Sequence, residues 1–384
     1  MTNLIKDTAS LEAFCTQLQN QPYITIDLEF IREKTYYAEL ALIQVGSEAE
    51  CAIIDPLAPD LNMQSFFTLL ENPKIVKVFH AGHQDIEILY MLTHKIPYPV
   101  FDTQIVAQVC GFGENVSYEN LVKSICGIEL DKSYRVSNWL QRPLSERQLE
   151  YALADVTHLR KIYHYLKTEA ESSGRLEWLK EEMEAVYNPE TYIIKPEESW
   201  QRLRARSHHP FFLTVLRELC AWRERRAQAK NITRQVIIKD DCLINIASLC
   251  PHNHTELSQI RGMRKDIADG KLAPEIIEII CKCDTIPPEN YVKVPKEKKI
   301  SSYSTPLYEL LKLLLKLKAQ EHQVVARLIA HDDDLKEFAS AKNDKQNPIL
   351  KGWRKEVFGN AALALRNGEV SISYNPKAHK IEIK

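Results

Sequence analysis

No apolar run in this 384-residue chain approaches the roughly 18 residues that a bilayer-spanning helix requires. The stretch from Met1 to Asn20 has neither the cationic start nor the apolar middle of an export leader, so export is not expected. The nine cysteines form no disulfide framework, being odd in number and scattered. Their closest pair, Cys281 and Cys283, lacks the two-residue gap of a zinc knuckle. They read as reduced core residues of a cytoplasmic protein. Nor does the chain carry a strong excess of charge: the formal net charge is −2. That balance hides an asymmetry, because residues 1–200 hold 17 Lys and Arg against 30 Asp and Glu, while residues 201–384 hold 33 against 22. An acidic half followed by a basic half fits a catalytic domain that concentrates carboxylates and a separate region that holds a polyanion. Two solvated surfaces would give the same count.

What the chain does have is an unusual strand. In Ile24-Thr25-Ile26-Asp27-Leu28-Glu29-Phe30 the period of two sends the aliphatic residues to one face and Thr25, Asp27 and Glu29 to the other. Two carboxylates on one face repel, so either the face is solvated or a cation belongs there. Around this strand, residues 1–20 read as a short helix. Further strands are expected over 39–46 and 51–54, and the short connections suggest an antiparallel meander. Helices and strands then alternate: helix 63–70, strand 75–79, helix 84–92, a short strand at Val100-Phe101 and helix 103–110. The pattern predicts a mixed sheet with helices on its faces, an α/β domain.

Two more acids stand in contexts that suit a metal site. Asp85 follows the strand-and-turn string Val78-Phe79-His80-Ala81-Gly82-His83-Gln84 and falls in the first turn of a helix. From Ser145, a plausible N-cap, a long helix runs to about residue 172. In it Tyr151 and Asp155 lie one turn apart on the same face. Four carboxylates, Asp27, Glu29, Asp85 and Asp155, can hold two divalent ions, one activating an attacking water and the other stabilising the leaving oxygen at phosphorus. Tyr151 is placed to hold or deprotonate that water.

At this point the chain resembles the ribonuclease D family, the tyrosine-type DEDD 3′→5′ exonucleases. Their three motifs match Asp27-Leu28-Glu29, Asp85 and Tyr151-Ala-Leu-Ala-Asp155, and flanking strings such as Phe101-Asp102-Thr103-Gln104 and Trp139-Leu140-Gln141-Arg142-Pro143-Leu144 extend the match over most of residues 1–200. Ala221-Trp222-Arg223-Glu224-Arg225 with Asn231-Ile232-Thr233-Arg234 resembles a helicase-and-RNase-D C-terminal (HRDC) module, and Leu350-Lys351-Gly352-Trp353-Arg354 resembles part of a second. The resemblance implies an RNase H-like exonuclease domain over 1–190, a linker over 191–204, one all-helical HRDC domain over 205–290, a linker over 291–302, a second HRDC-like domain over 303–375 and a tail over 376–384. It implies hydrolysis at the 3′ ends of structured RNA, particularly tRNA precursors, with two Mg²⁺ or Mn²⁺ ions and release of nucleoside 5′-monophosphates. Neither a membrane nor an obligate protein partner is implied. His80, Lys132, Arg135, Arg142, Arg223 and Arg234 are the candidates for nucleic-acid contact. Asp102 suits a helix N-cap. His208-His209 and His252-Asn253-His254 lack a cysteine pair at ligand spacing. A DNA-directed exonuclease of the same build, or a binding protein with a vestigial site, are the alternatives.

Overall fold

The computed structural model describes residues 3–131, 133–134, 137–204, 207–293, 304–340 and 346–384. The chain divides into two units. One comprises residues 1–29, 40–189 and 297–384, and the other residues 30–39 and 190–296.

The first unit is built on a six-stranded sheet of order β1-β4-β3-β2-β5-β6. Its strands are β1 (Leu4–Ile5), β2 (Tyr23–Ile31), β3 (Glu39–Gly46), β4 (Cys51–Ile54), β5 (Val76–Phe79) and β6 (Val100–Asp102). The sheet is mixed, as the alternation of short and helical connections predicts: β3 and β4 are antiparallel, whereas β1 runs parallel to β4 and β2, β5 and β6 run parallel to one another. One expectation fails at the start of the chain. Residues 1–20 are not a single helix, because Leu4 and Ile5 pair with Ile53 and Ile54. Helix α1 (Thr8–Leu18) begins only after Asp7, whose carboxylate accepts from the Ser10 amide as an N-cap.

Four helices follow the strands: α2 (Gln64–Glu71), α3 (His83–Thr93), α4 (Thr103–Val109) and the short α5 (Tyr118–Leu121). The long α6 (Glu146–Ser172) starts at Ser145 with a full capping box to Gln148, and α7 (Leu176–Glu184) comes after it. Helix α6 covers the face of β2 that carries Thr25: Tyr23, Val78, Leu159 and Tyr163 form one buried cluster there. The Thr25 hydroxyl, fully buried, donates to the Val156 carbonyl at 2.9 Å. The face read as polar is thus largely covered, and the acids on it are forced to find partners.

Residues 190–293 in the second unit are helical, with α8 (Pro210–Lys230), α9 (Arg234–Ile237), α10 (Asp240–Leu249), α11 (His254–Ser258), α12 (Lys265–Ala268) and α13 (Leu272–Asp284) around an aliphatic core that includes Leu216, Leu219, Leu243, Ile276 and Ile280. Residues 305–366, in the first unit, form α14 (Thr305–Glu321), α15 (Ala326–Ile329), α16 (Asp332–Ser340), α17 (Gly352–Arg354) and α18 (Asn360–Arg366) over a core centred on Leu311, Leu314, Phe338, Trp353 and Phe358. Residues 370–384, whose alternation suits a short strand or an extended tail, fold back as a hairpin, β7 (Ile372–Asn375) against β8 (Lys380–Ile383). Among the described residues no helix is long and apolar enough to cross a membrane.

Candidate active site

The parallel run of β2, β5 and β6 brings their C-terminal ends to one edge of the sheet, and the acids collect there. Asp27, Glu29 and Asp155 each offer a carboxylate oxygen, and these atoms all lie within 4.8 Å of one another. A single cation could touch all three. Thr25 sets this meeting: its bond to Val156 fixes the height of α6 against β2, so that the residue before Val156 faces the residue two beyond Thr25.

Asp85 sits in the first turn of α3 and is buried. It stands outside the group of three, yet the charge of Asp27 acts on it and its own charge acts on Glu29. Its helix is aimed by Asp102, whose carboxylate caps α4 through the Gln104 amide and also accepts from the amides of Ala81 and Gly82 at 3.1 and 2.9 Å. The N-cap role expected for Asp102 is present, and it extends to the turn that leads into α3.

Burial lifts the carboxyl groups of Asp27, Glu29, Asp85 and Asp155 above the ordinary carboxylate range. Mutual repulsion adds to this for Glu29, Asp85 and Asp155. The shifts are all upward, the direction that burial and like charge dictate. Three acids within reach of one cation, with Asp85 close enough for its charge to act on Glu29, make a donor set of hard oxygens, which fits Mg²⁺ or Mn²⁺ and does not fit soft metals.

Tyr151 lines a cavity of about 340 Å³ together with Asp155, Ala154, Glu150, Arg147, Tyr134, Ser133, Asp131 and Leu130. The buried Trp139 stands behind it, ring centroids 6.2 Å apart. Tyr118, which the sequence reading passed over, places its hydroxyl 2.5 Å from the carbonyl of Asp155.

The candidate phosphate contacts fall elsewhere. His80 is hydrogen-bonded to Thr103 through Nδ1 at 3.0 Å, and burial holds its imidazole below the usual range. Lys132 and Arg135 lie outside the described residues. Arg142 is engaged structurally, its guanidinium bonded to both Asp55 oxygens and to the carbonyls of Trp139, Gln141 and Ala41. In the second unit, Arg223 is buried and binds the Ile238 carbonyl and Asp240. Arg234 grips the buried Glu224 with both Nε and a terminal nitrogen. The signal that separates these arginines from surface ones was present in the sequence as acids spaced to pair with them, such as Glu224 ten residues before Arg234, but a sequence does not say which acid is buried.

Residues 2–171 match a family model described as 3′-5′ exonuclease, and residues 212–280 match one for the HRDC domain. Fold and site together thus define a 3′–5′ exonuclease domain followed by a helical HRDC region, and that exonuclease family is metal-dependent. Among curated relatives, the chain is 42% identical to the ribonuclease D of Granulibacter bethesdensis, covering 98% of this chain and 96% of the relative. It is 40% identical to that of Jannaschia sp., covering 100% and 99%. The crystal structure of Escherichia coli RNase D, an exoribonuclease involved in structured RNA processing, matches with a TM-score of 0.81 at 27% identity, covering 96% of this chain and 99% of that one. The chain belongs to the ribonuclease D family and is a 3′–5′ exoribonuclease.

Proposed function

We propose that this exoribonuclease trims the 3′ ends of structured RNA, tRNA precursors foremost, one nucleotide at a time, releasing nucleoside 5′-monophosphates. The reading takes Asp27, Glu29, Asp85 and Asp155 as ligands of two Mg²⁺ or Mn²⁺ ions. When bound, such ions supply positive charge to the scissile phosphate and lower the cost of ionising water. The protein's own part is to gather the carboxylates, to keep water out beneath them and to orient the attacking water. Tyr151 has that last role, since it stands one helical turn before Asp155 on the wall of the cavity and its ring is backed by Trp139. The cavity has the volume and the mixed polar and aromatic lining to take a terminal nucleotide. The helical regions would hold the strand through its phosphates, so binding should weaken with salt. Nine free cysteines fit a reducing cytoplasm, and no obligate protein partner is called for.

The observation that carries the proposal is the triad of carboxylates drawn from β2 and α6, beside an open cavity that a tyrosine lines. The test compares Asp155→Asn with the parent chain on matched RNA and DNA substrates bearing free 3′ ends. Loss of hydrolysis with RNA binding retained, and a preference for the 2′-hydroxyl strand in the parent, are expected. Unchanged turnover in Asp155→Asn, or equal rates on DNA, would count against it.

A further inference from the structure

Tyr118 is half-buried beside the acidic site, its ring packed against the clusters that hold Leu159, Tyr163 and Ile162. It opens α5, whose N-cap Ser117 accepts from the Asn120 amide, and α5 widens into a π-helical turn, Val122–Cys126, closed by Gly127 at φ 69°. Such turns are an uncommon backbone feature and gather at functional positions. The Tyr118 hydroxyl lies 2.5 Å from the Asp155 carbonyl and 3.1 Å from the Ala154 carbonyl. Both carbonyls are in the middle of α6, where the helix ladder already supplies a donor. A hydroxyl needs only one acceptor; this one is aimed between two, at the turn that carries a proposed ligand. The charges of Asp155 and Asp27 both act on it.

The other side of the ring meets the segment leading to Asp85. His80, between β5 and α3, lies 5.5 Å from the Tyr118 ring, centroid to centroid. It is held by Thr103, which itself donates to the Phe79 carbonyl at 3.0 Å. One side chain therefore bridges the α6 turn of Asp155 and the loop that enters α3.

We propose that Tyr118 is a positioning residue of the hydrolytic site. Its hydroxyl fixes the rotation of the α6 turn, so that the Asp155 carboxylate stays within reach of Asp27 and Glu29 although like charge drives the three apart. The proposal rests on the reading of these carboxylates as cation ligands. A group that holds a ligand in place without touching the ion raises affinity by preorganisation, and its removal typically costs about 10-fold in metal affinity or activity.

Tyr118→Phe, which keeps the ring and removes only the hydroxyl, tests this in the full chain. Mn²⁺ binding is followed by electron paramagnetic resonance, and kcat and KM are measured on a short oligoribonucleotide across a Mn²⁺ series. The expected result is about 10-fold weaker Mn²⁺ binding, a lowered kcat at limiting Mn²⁺ that recovers at saturation, and an unchanged KM for RNA. Mn²⁺ affinity within about twofold of the parent, whatever the melting temperature, would overturn it. Asp155→Asn in the same titration separates the two readings. If Asp155→Asn loses Mn²⁺ while Tyr118→Phe does not, the positioning role fails and the ligand assignment stands. If Asp155→Asn binds Mn²⁺ as the parent does, the ligand assignment itself fails and takes this proposal with it.

Discussion

The carbonyl of Val156 accepts the hydroxyl hydrogen of Thr25 at 2.9 Å, across the boundary between the central strand and the longest helix of the first unit. The contact is possible because Gly46, on the neighbouring β3, leaves room for it: a Cβ at that position would lie 2.6 Å from Thr25 Oγ1. A sheet residue without a side chain thus lets a buried hydroxyl set the register of the helix that carries Asp155.

Gly46→Ala should therefore be costly for function as well as for stability. The added methyl cannot avoid the hydroxyl, since the strand backbone holds both residues. Overpacking of this kind costs about 1–3 kcal/mol, and Thr25→Val, which only removes the bond, about 1 kcal/mol. Urea melts should rank Gly46→Ala below Thr25→Val, and both should turn over RNA more slowly than the parent at equal folded fraction. Parent-like turnover in Gly46→Ala would show that the height of α6 does not govern the site.

The acidic cluster makes stability depend on pH and on metal. Burial raises the Asp27 carboxyl to about 7 and lifts its neighbours as well. In the unfolded chain these groups ionise near 4. Between those values the folded state binds more protons than the unfolded one, so the stability contribution is fully present below about 4 and is lost as pH rises through the raised folded values. Protein treated with a chelator should accordingly be less stable at pH 9 than at pH 6, by on the order of a few kcal/mol, and melt at lower temperature. Mn²⁺ needs the ionised forms, so the rise in melting temperature on adding it should grow over the same interval. Calorimetry at pH 5, 7 and 9, with and without Mn²⁺, checks both slopes. A metal-induced shift that shrinks with pH would contradict the carboxylates as ligands.

The string that resembles an HRDC motif reads differently once folded. Arg234 spans both oxygens of Glu224, which is 1% exposed. The Tyr36 hydroxyl also donates to Glu224, and the Arg234 guanidinium stacks 4.7 Å from the Tyr36 ring. Asn231, at φ 49°, accepts from the amides of Tyr36 and Tyr37. Removing Arg234 leaves a buried carboxylate with a single neutral donor, a defect of about 3–5 kcal/mol. Arg234→Ala should lose stability in a thermal melt, and Glu224→Gln combined with it should recover part of the loss. If Arg234→Ala melts like the parent and instead weakens RNA binding with a shallower salt dependence, the arginine contacts phosphate after all.

The order of elements through the first 190 residues was legible because it depends on local pattern. The alternation in β2, the Ser145 cap and the one-turn spacing of Tyr151 and Asp155 are all short-range signals. The proposed acids stood out for the same reason, Asp27 and Glu29 sharing one short motif and Asp85 and Asp155 each standing in another. What could not be read was whatever depends on contacts far apart in the chain. Leu4 and Ile5 form a strand only because β4 offers an open edge. Arg142 is tied to Asp55, 87 residues away, and nothing near it says that its charge is already matched. Tyr118 resembles any core tyrosine until α6 is laid over it.

The last 80 or so residues provide a further case, because part of their basic string serves the packing of the first unit. Trp353 stacks on Trp178 of α7, centroids 4.5 Å apart and planes 15° from parallel. Arg354 binds Glu182 at 2.6 Å, and the Trp353 indole nitrogen donates to the same carboxylate at 3.2 Å. Arg175 reaches the carbonyls of His322 and Gln323 from the other end of α7. Trp353 is buried in the core of residues 305–366 as well, so one side chain closes two packing surfaces. Trp353→Ala should cost about 3–5 kcal/mol, and Arg354→Ala less, because Glu182 keeps the indole as donor. Both losses should be visible in hydrogen exchange at α7 as well as within residues 305–366, since α7 and α17 share this contact. Exchange that quickens only within residues 305–366 would mean that α7 holds its place without them, and the basic string would then be free to serve RNA.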